Sequence, residues 1–350
     1  MYKVGIMKKI FLTVLSMVML STSAFAFPFF KKEQVPHLVT VPLFNSESNA
    51  ANRVWAGTFE LVWNDLMDNV LKAPVQFVDG ENAFANELNK QNFKKDYLSE
   101  DSYYTAHGVM TKAFKSVIEK ALEEKFNEKS DILDSLSWNG KSFLIYSMLK
   151  KDFEFITAFK ELKKAKFANK GKKIKYFGIE KNATSDLRDS VSVLFYNSSN
   201  DFAVKIYTKT DDKVILYRTD DTSSFDKMYN DVLAKSKAYN GVKSFTKKDR
   251  LKVPFIAFKT KHIYEQLSGK SILNSDLTID EALQTVDFKI DNKGVKLKSE
   301  AALVMKMSLE PIGKSEPRDF YFDDNFVLYL IEKEKPYFAL KVADMVGLSK

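Results

Sequence analysis

"DNKGVKLKSEAALVMKMSL", residues 291–309, alternates with a regularity that loops do not have. From Val295 the odd positions read Val295, Leu297, Ser299, Ala301, Leu303, Met305, Met307 and Leu309. The even positions read Lys296, Lys298, Glu300, Ala302, Val304, Lys306 and Ser308. Successive side chains of a strand point to opposite faces, so period-two polarity describes a strand with one buried face. The pattern holds for 15 residues, whereas strands ordinarily run about 3–10. A strand of this length, just before the last hairpin, needs a large sheet to receive it.

On its C-terminal side, "NFVLYLIEKEKPYFALKV" (325–342) reads as two strands around a Lys-Glu-Lys-Pro turn, with Phe326 and Leu328 on one face and Val327 and Tyr329 on the other. On its N-terminal side, "QTVDFKI" (284–290) alternates with Val286, Phe288 and Ile290 inward, and "LKVPFIAFKTK" (251–261) reads as one strand. "HIYEQLSGKSI" (262–272) reads as a helix stopped by Gly269. "SVSVLFY", "FAVKIYT" and "KVILYRT" (190–219) are short β-rich runs joined by Asn/Ser/Asp turns, a meander. "SSFDKMYNDVLAK" (223–235) reads as a helix with Phe225, Met228, Tyr229 and Leu233 on one side. "SFLIYSMLKKDFEFITAF" (142–159) is a strand with a turn.

The first half has a different period. "TKAFKSVIEKALEEKF" (111–126) places Phe114, Val117, Ile118, Ala121, Leu122 and Phe126 on one helix face. In "NRVWAGTFELVWNDLMDNVLK" (52–72), Trp55, Phe59, Val62, Leu66 and Val70 form a helical stripe, with Asn52 as cap and Pro74 beyond the end. Residues 27–50 are proline-punctuated, with one short strand. Helices first and strands second give an α+β fold in one domain, 27–350, without internal repeats.

Residues 1–26 are read as a secretory signal peptide: Lys8 and Lys9, an apolar run from Ile10 to Leu20, then Ala24-Phe25-Ala26. That run is too short to span a bilayer, so the chain is expected to be exported, to a periplasm or outside the cell. With Lys3, Lys8 and Lys9 removed, the net charge of +8 becomes +5, which does not call for nucleic acid. No cysteine is present among the 350 residues, which excludes disulfides, thiolate nucleophiles and cysteine metal sites. The 29 phenylalanines and 45% hydrophobic content supply the core instead.

Three histidines, His37, His107 and His262, stand far apart and show no metal-ligand spacing. No G-x-S-x-G elbow, H-E-x-x-H or phosphate-binding loop occurs. No catalytic residue, metal or cofactor is therefore assigned. "LKKAKFANKGKKIK" (162–175) concentrates Lys163, Lys164, Lys170, Lys172 and Lys173. Such a run either binds a polyanion, an anionic polysaccharide among them, or is a solvated connector.

Several of these segments resemble the second half of a serpin. "LKVPFIAFKTKHIYEQL", "VDFKIDNKG", the alternating segment and "FYFDDNFVLYLIEKEKPYFALKV" follow the family's order: a V-x-x-P-x-F strand, a long strand ending in a hinge glycine, the reactive loop, and a closing strand pair. Phe322, Asp323, Asp324, Asn325 and Phe326 match the closing motif, with Asn325 where the family has Pro, and Gly294 matches the hinge glycine. "FLIYSMLKKDFEF" is similar to the family's central strand, with Lys150 and Phe153 in register and Tyr146 where an Asn is usual. The resemblance covers residues 140–350.

It implies a single domain of N-terminal helices packed on a large mixed or antiparallel sheet, with smaller closing sheets. It implies a hinge at Gly294, Val295, Leu297, Ser299 and Ala301, and a cleavage region at Met305, Lys306, Met307, Ser308 and Leu309. A serpin offers that loop as bait, and after cleavage the loop enters the sheet as a strand and drags the acylated protease along. The implied partner is a target protease, met by a monomer. The alternation after Gly294 fits a loop that inserts, and equally a strand fixed in the sheet of a non-inhibitory relative.

Overall fold

Apolar residues recur at period two through most of the second half of the chain, and the computed structural model, which describes residues 37–296 and 316–348, is built there mainly of sheet. The strands are β1 (Leu38–Thr40), β2 (Asn52–Ala56), β3 (Tyr103–Val109), β4 (Phe143–Leu149), β5 (Phe153–Glu154), β6 (Lys160–Phe167), β7 (Lys170–Ile179), β8 (Val191–Ser198), β9 (Asp201–Tyr207) and β10 (Lys213–Arg218). They continue as β11 (Arg250–Pro254), β12 (Ile256–Ile263), β13 (Lys270–Ser271), β14 (Thr278–Ile279), β15 (Leu283–Ile290), β16 (Gly294–Lys296), β17 (Asp319–Tyr321), β18 (Phe326–Glu332) and β19 (Lys335–Val342). The α-helices are α1 (Thr58–Asp65), α2 (Ala83–Leu88), α3 (Lys112–Phe126), α4 (Ser185–Asp189) and α5 (Phe225–Ala238).

The expected meander and closing hairpin lie in one sheet of order β1-β2-β19-β18-β10-β9-β8. Every residue of β18 is buried, because both faces of this sheet are covered. On one face α5 docks, its Phe225 carbonyl accepting a hydrogen bond from the Tyr329 hydroxyl at 3.1 Å. On the other, Phe338 of β19 stacks on Phe288 of β15 at 4.6 Å between ring centroids. That stack joins the large sheet to a second one, β12-β15-β16-β5. The sheet β17-β11-β7-β6 and the hairpin β3-β4 complete the frame, with the small pair β13-β14.

Local chemistry explains where the helices begin and end. Thr111 caps α3 by accepting from the Phe114 amide, and Asn127 ends it in the left-handed region at φ 49°. Ser224 caps α5 the same way. The apolar face of α5 is Phe225, Met228, Tyr229 and Val232. Leu233, expected inward, is 48% exposed, because 232 and not 233 completes the i, i+3, i+4, i+7 stripe.

Four readings of the sequence are corrected. The helix expected over 52–72 starts at Thr58, and residues 52–56 are β2, whose five residues are all buried against β19 and β1. A strand buried on both faces has no alternation, and here it merged into the helical stripe that follows. That stripe then loosens into a π-helical turn, Leu66–Leu71, closed by Lys72 at φ 57°. The segment 262–272 is not a helix. Its first residues end β12, its middle is turns held by Tyr264 N–H to Ala282 and Gly269 N–H to Ile279, with Gly269 at φ 75°, and Lys270–Ser271 are β13. "LKVPFIAFKTK" is two strands in two sheets, β11 and β12, changing partner at Phe255. Finally, the lysine run is no connector but the hairpin β6–β7, an antiparallel ladder with two register shifts.

Candidate functional site

Among the described residues, the strand β4 is hydrogen-bonded along one edge only, to β3. The strand β15 is bonded to β12 along its whole length on one side, and on the other side only at Lys289 and Ile290, by β16. The remaining edges of β4 and β15 face the same cleft and, among the described residues, no ladder joins them. The upper part of this cleft encloses about 470 Å³ between Tyr146–Lys150 and Leu283–Gln284–Thr285. The lower part, about 900 Å³, lies between Phe143–Ser147 and the segment ending at Leu283. Phe59 and Val62 of α1 line both parts. Two strand edges without a ladder partner among the described residues, set around a trough that is polar above and mainly apolar below, are a template for one more strand.

At the top of the cleft the place is already taken. β16 pairs with β15 through Ile290↔Val295 and Lys289↔Lys296, and with β5 through Gly294↔Glu154 and Val295↔Phe153. The turn before it is fixed by the Phe155 amide on the Lys293 carbonyl and the Phe159 amide on the Asn292 carbonyl. Gly294 is required there, since a Cβ would lie 2.2 Å from the Phe153 carbonyl oxygen and 2.7 Å from the Glu154 Cα. Val295 is fully buried and Lys296 is exposed and lines the cleft. The odd-inward phase read from the sequence is therefore the phase of the first two alternating residues.

Polar groups cluster midway down. Gln284 donates from Nε2 to the Ala56 carbonyl at 2.9 Å and to Thr58 Oγ1 at 2.6 Å, and its Oε1 accepts from the Tyr264 hydroxyl at 2.7 Å. Across the cleft, the buried Ser147 Oγ of β4 has no hydrogen-bond partner among the described residues. Behind them on α1, Glu60 accepts from Trp55 Nε1 at 2.9 Å. Burial pushes its carboxyl up to about 8, against the smaller downward pull of the Trp55 and Phe93 hydrogen bonds.

Both rims are anchored. On the outer face α3 packs Ile118, Leu122 and Phe126 around Tyr146, and burial raises the Tyr146 hydroxyl to about 12. Lys150, which follows β4, reaches the last turn of α3, donating to the Phe126 carbonyl and pairing with Glu128 at 3.1 Å. Lys151 turns the other way. Its buried ammonium lies 3.0 Å from Asp212, before β10, and 2.7 Å from Glu332, the last residue of β18, and the Tyr337 hydroxyl donates to Asp212 at 2.9 Å.

Of the residues assigned from sequence, Gly294 and Val295 sit at the mouth of the cleft, and Lys150 and Phe153 flank it. Leu297, Ser299, Ala301 and the cleavage region Met305, Lys306, Met307, Ser308 and Leu309 lie outside the described residues. Lys163, Lys164, Lys170, Lys172 and Lys173 are on a different sheet, all exposed. In the closing motif, Phe322 and Phe326 meet edge to face at 5.6 Å, and Asn325 donates to Asp220 at 2.9 Å. Gln284, Ser147, Thr58 and Lys151 were missed. The signal for Gln284 was present, a polar residue in the inward phase of Val286, Phe288 and Ile290.

Among the described residues no group of three His, Cys, Asp or Glu is placed to hold a metal ion, and no helix is long and apolar enough to cross a membrane. No family model and no curated protein matches the sequence. Solved structures do. The native state of tengpin, a thermophilic serpin, superimposes with a TM-score of 0.51 at 11% identity, over 86% of this chain and 90% of that one. Serpin48 of the insect Tenebrio molitor gives 0.47 at 12% identity, over 83% and 91%. The mouse protein Z-dependent protease inhibitor gives 0.49 at 10%, over 83% and 90%. With the tengpin match above one half, and with its α+β frame of three main sheets, this chain has the serpin fold.

Proposed function

We propose that this is an exported, monomeric protein that inhibits a protease by the serpin route, and that it is not itself a catalyst. The carrying observation is the cleft between β4 and β15 with Gly294–Lys296 seated at its top. Cleavage in the region Met305–Leu309 would free the alternating segment to continue from Lys296 down the cleft. Its odd side chains would then meet the trough, and its backbone both of these strand edges. A protease still acylated on the cut end would be carried with it.

The second reading is a serpin-fold scaffold that binds or supports without trapping. It is favoured by the residues after the glycine, where Leu297 and Lys298 stand in place of small side chains. Two measurements separate the readings. Incubation with a panel of serine and cysteine proteases should give a covalent complex that survives SDS, and cleavage between Met305 and Pro311 should raise the melting temperature. Cleavage with a higher melting temperature but no complex leaves a scaffold that inserts without trapping. Cleavage that leaves the melting temperature unchanged or lower removes strand insertion, and with it the inhibitor.

A further inference from the structure

The hairpin β6–β7 carries eight lysines between residues 160 and 175, every one exposed, and one acid, Glu161. Among the described residues, Lys115, Lys209, Lys227 and Lys259 each hold a carboxylate. None of these eight does. The ladder sets like charges against one another. Lys166 stands directly opposite Lys173, and the register shift between Leu162↔Tyr176 and Ala165↔Ile174 leaves Lys163 and Lys164 facing Lys175. Such pairs are destabilising unless something neutralises them, and bulges re-aim side chains.

Edge protection does not account for the arrangement. β6 is the edge strand of its sheet, and lysines on an edge discourage pairing with other chains. Edge protection, however, asks for charge along an outer edge and not for lysines opposite one another across the ladder, as Lys166 and Lys173 are, and β11 covers β7 only from Tyr176 to Ile179. At two-residue spacing Lys173 and Lys175 face one side and Lys170 and Lys172 the other.

We propose that the β6–β7 hairpin is a binding site for a linear anionic polysaccharide. Charge on both faces and at the tip suits a chain that wraps the ribbon, whereas a membrane plane would meet one face. The hairpin has no arginine, and its aromatic residues, Phe167, Tyr176 and Phe177, are buried, so it has neither the forked donors nor the stacking platforms that nucleic acids use. The site is remote from the cleft in topology and does not depend on strand insertion.

The test is retention of the full chain on immobilised dextran sulfate across a salt series. Each neutralised charge contributes about 0.7–0.9 to the log–log salt slope. The set Lys163→Gln, Lys164→Gln, Lys166→Gln and Lys173→Gln should therefore lower the slope by about 3, without lowering the melting temperature. The same four positions changed to Arg should keep it. A control set, Lys94→Gln, Lys95→Gln, Lys112→Gln and Lys129→Gln, should leave most of the retention. Equal loss in the control set, or loss in the arginine set, overturns the site. Tighter retention by duplex DNA or by phosphatidylserine vesicles at the same salt overturns the assigned ligand.

Discussion

Gly294 lies against the backbone of Phe153, so close that a methyl group on its Cα would sit 2.2 Å from the Phe153 carbonyl oxygen. The obstacle is main chain, which cannot swing aside as a side chain can. Gly294→Ala should therefore lift β16 away from β5 and cost about 1–3 kcal/mol, the range for overpacking a tight site. Amide exchange at Val295 and Lys296 should speed up well beyond the average for the protein. Unchanged exchange there would mean that β16 is not held in the place described.

Lys151 is the only cation facing Asp212 and Glu332 among the ion pairs described there. Lys151→Met leaves two buried carboxylates without it, a change that typically costs about 3–5 kcal/mol. The double variant Lys151→Met with Glu332→Gln should recover part of the loss, because one of the uncompensated charges is gone. Denaturant midpoints of the two variants would check both the size and the recovery.

Glu60 makes stability depend on pH with a definite sign. Its carboxyl is raised from 4.5 to about 8 in the folded state, mainly by burial. The folded protein therefore binds the proton more tightly than the unfolded chain. The associated stability is fully present below about pH 4.5 and is lost as pH rises toward 8, at about 1.4 kcal/mol per pH unit at most. Glu60→Gln keeps an acceptor for Trp55 Nε1 and cannot ionise. It should be close to neutral at pH 5 and more stable than the parent by a few kcal/mol at pH 8.5. Parallel curves for the two proteins across this range would exclude the assignment.

Phe326 is fully buried, with Phe322 at 5.6 Å and Phe167 at 6.3 Å between ring centroids. Phe326→Ala should cost about 3–5 kcal/mol by chemical denaturation, as for a large aromatic deleted from a packed core. A loss under about 1 kcal/mol would show that the closing strands carry little of the core.

How much of this was legible depended on whether a feature is local. β15 announces itself by alternation, β18, β19 and the meander by β-branched and aromatic runs set between turn residues, and α3 and α5 by stripe and cap. β2 was hidden because burial on both faces erases the period. The change of sheet at Phe255 leaves no mark on the spacing of apolar residues in "LKVPFIAFKTK". The cleft was beyond reach for another reason: it is a relation between Tyr146 and Gln284, which no local pattern joins. Only the strand that would fill it could be read, from residues 295–309.

That strand supports the sharpest prediction. Pairing of Ile290 with Val295 and of Lys289 with Lys296 sets an antiparallel register. Continued one residue at a time, it would bring Leu297 opposite Phe288, Ser299 opposite Val286 and Ala301 opposite Gln284. Phe288, Val286 and Gln284 are all buried, so the odd positions would face inward after insertion. Ala301→Asp or Leu303→Lys would then bury an unpaired charge, at a cost of several kcal/mol in the cleaved form. The rise in melting temperature on cleavage should disappear in these variants, and the uncleaved protein should melt as before. Lys298→Gln and Lys306→Gln, on the outward face, should change neither form. If the inward substitutions destabilise the uncleaved protein instead, the segment is already a strand of the sheet and there is no trap to spring. If neither set has an effect before or after cleavage, the alternation of residues 295–309 has no structural role, and the cleft between β4 and β15 needs another occupant.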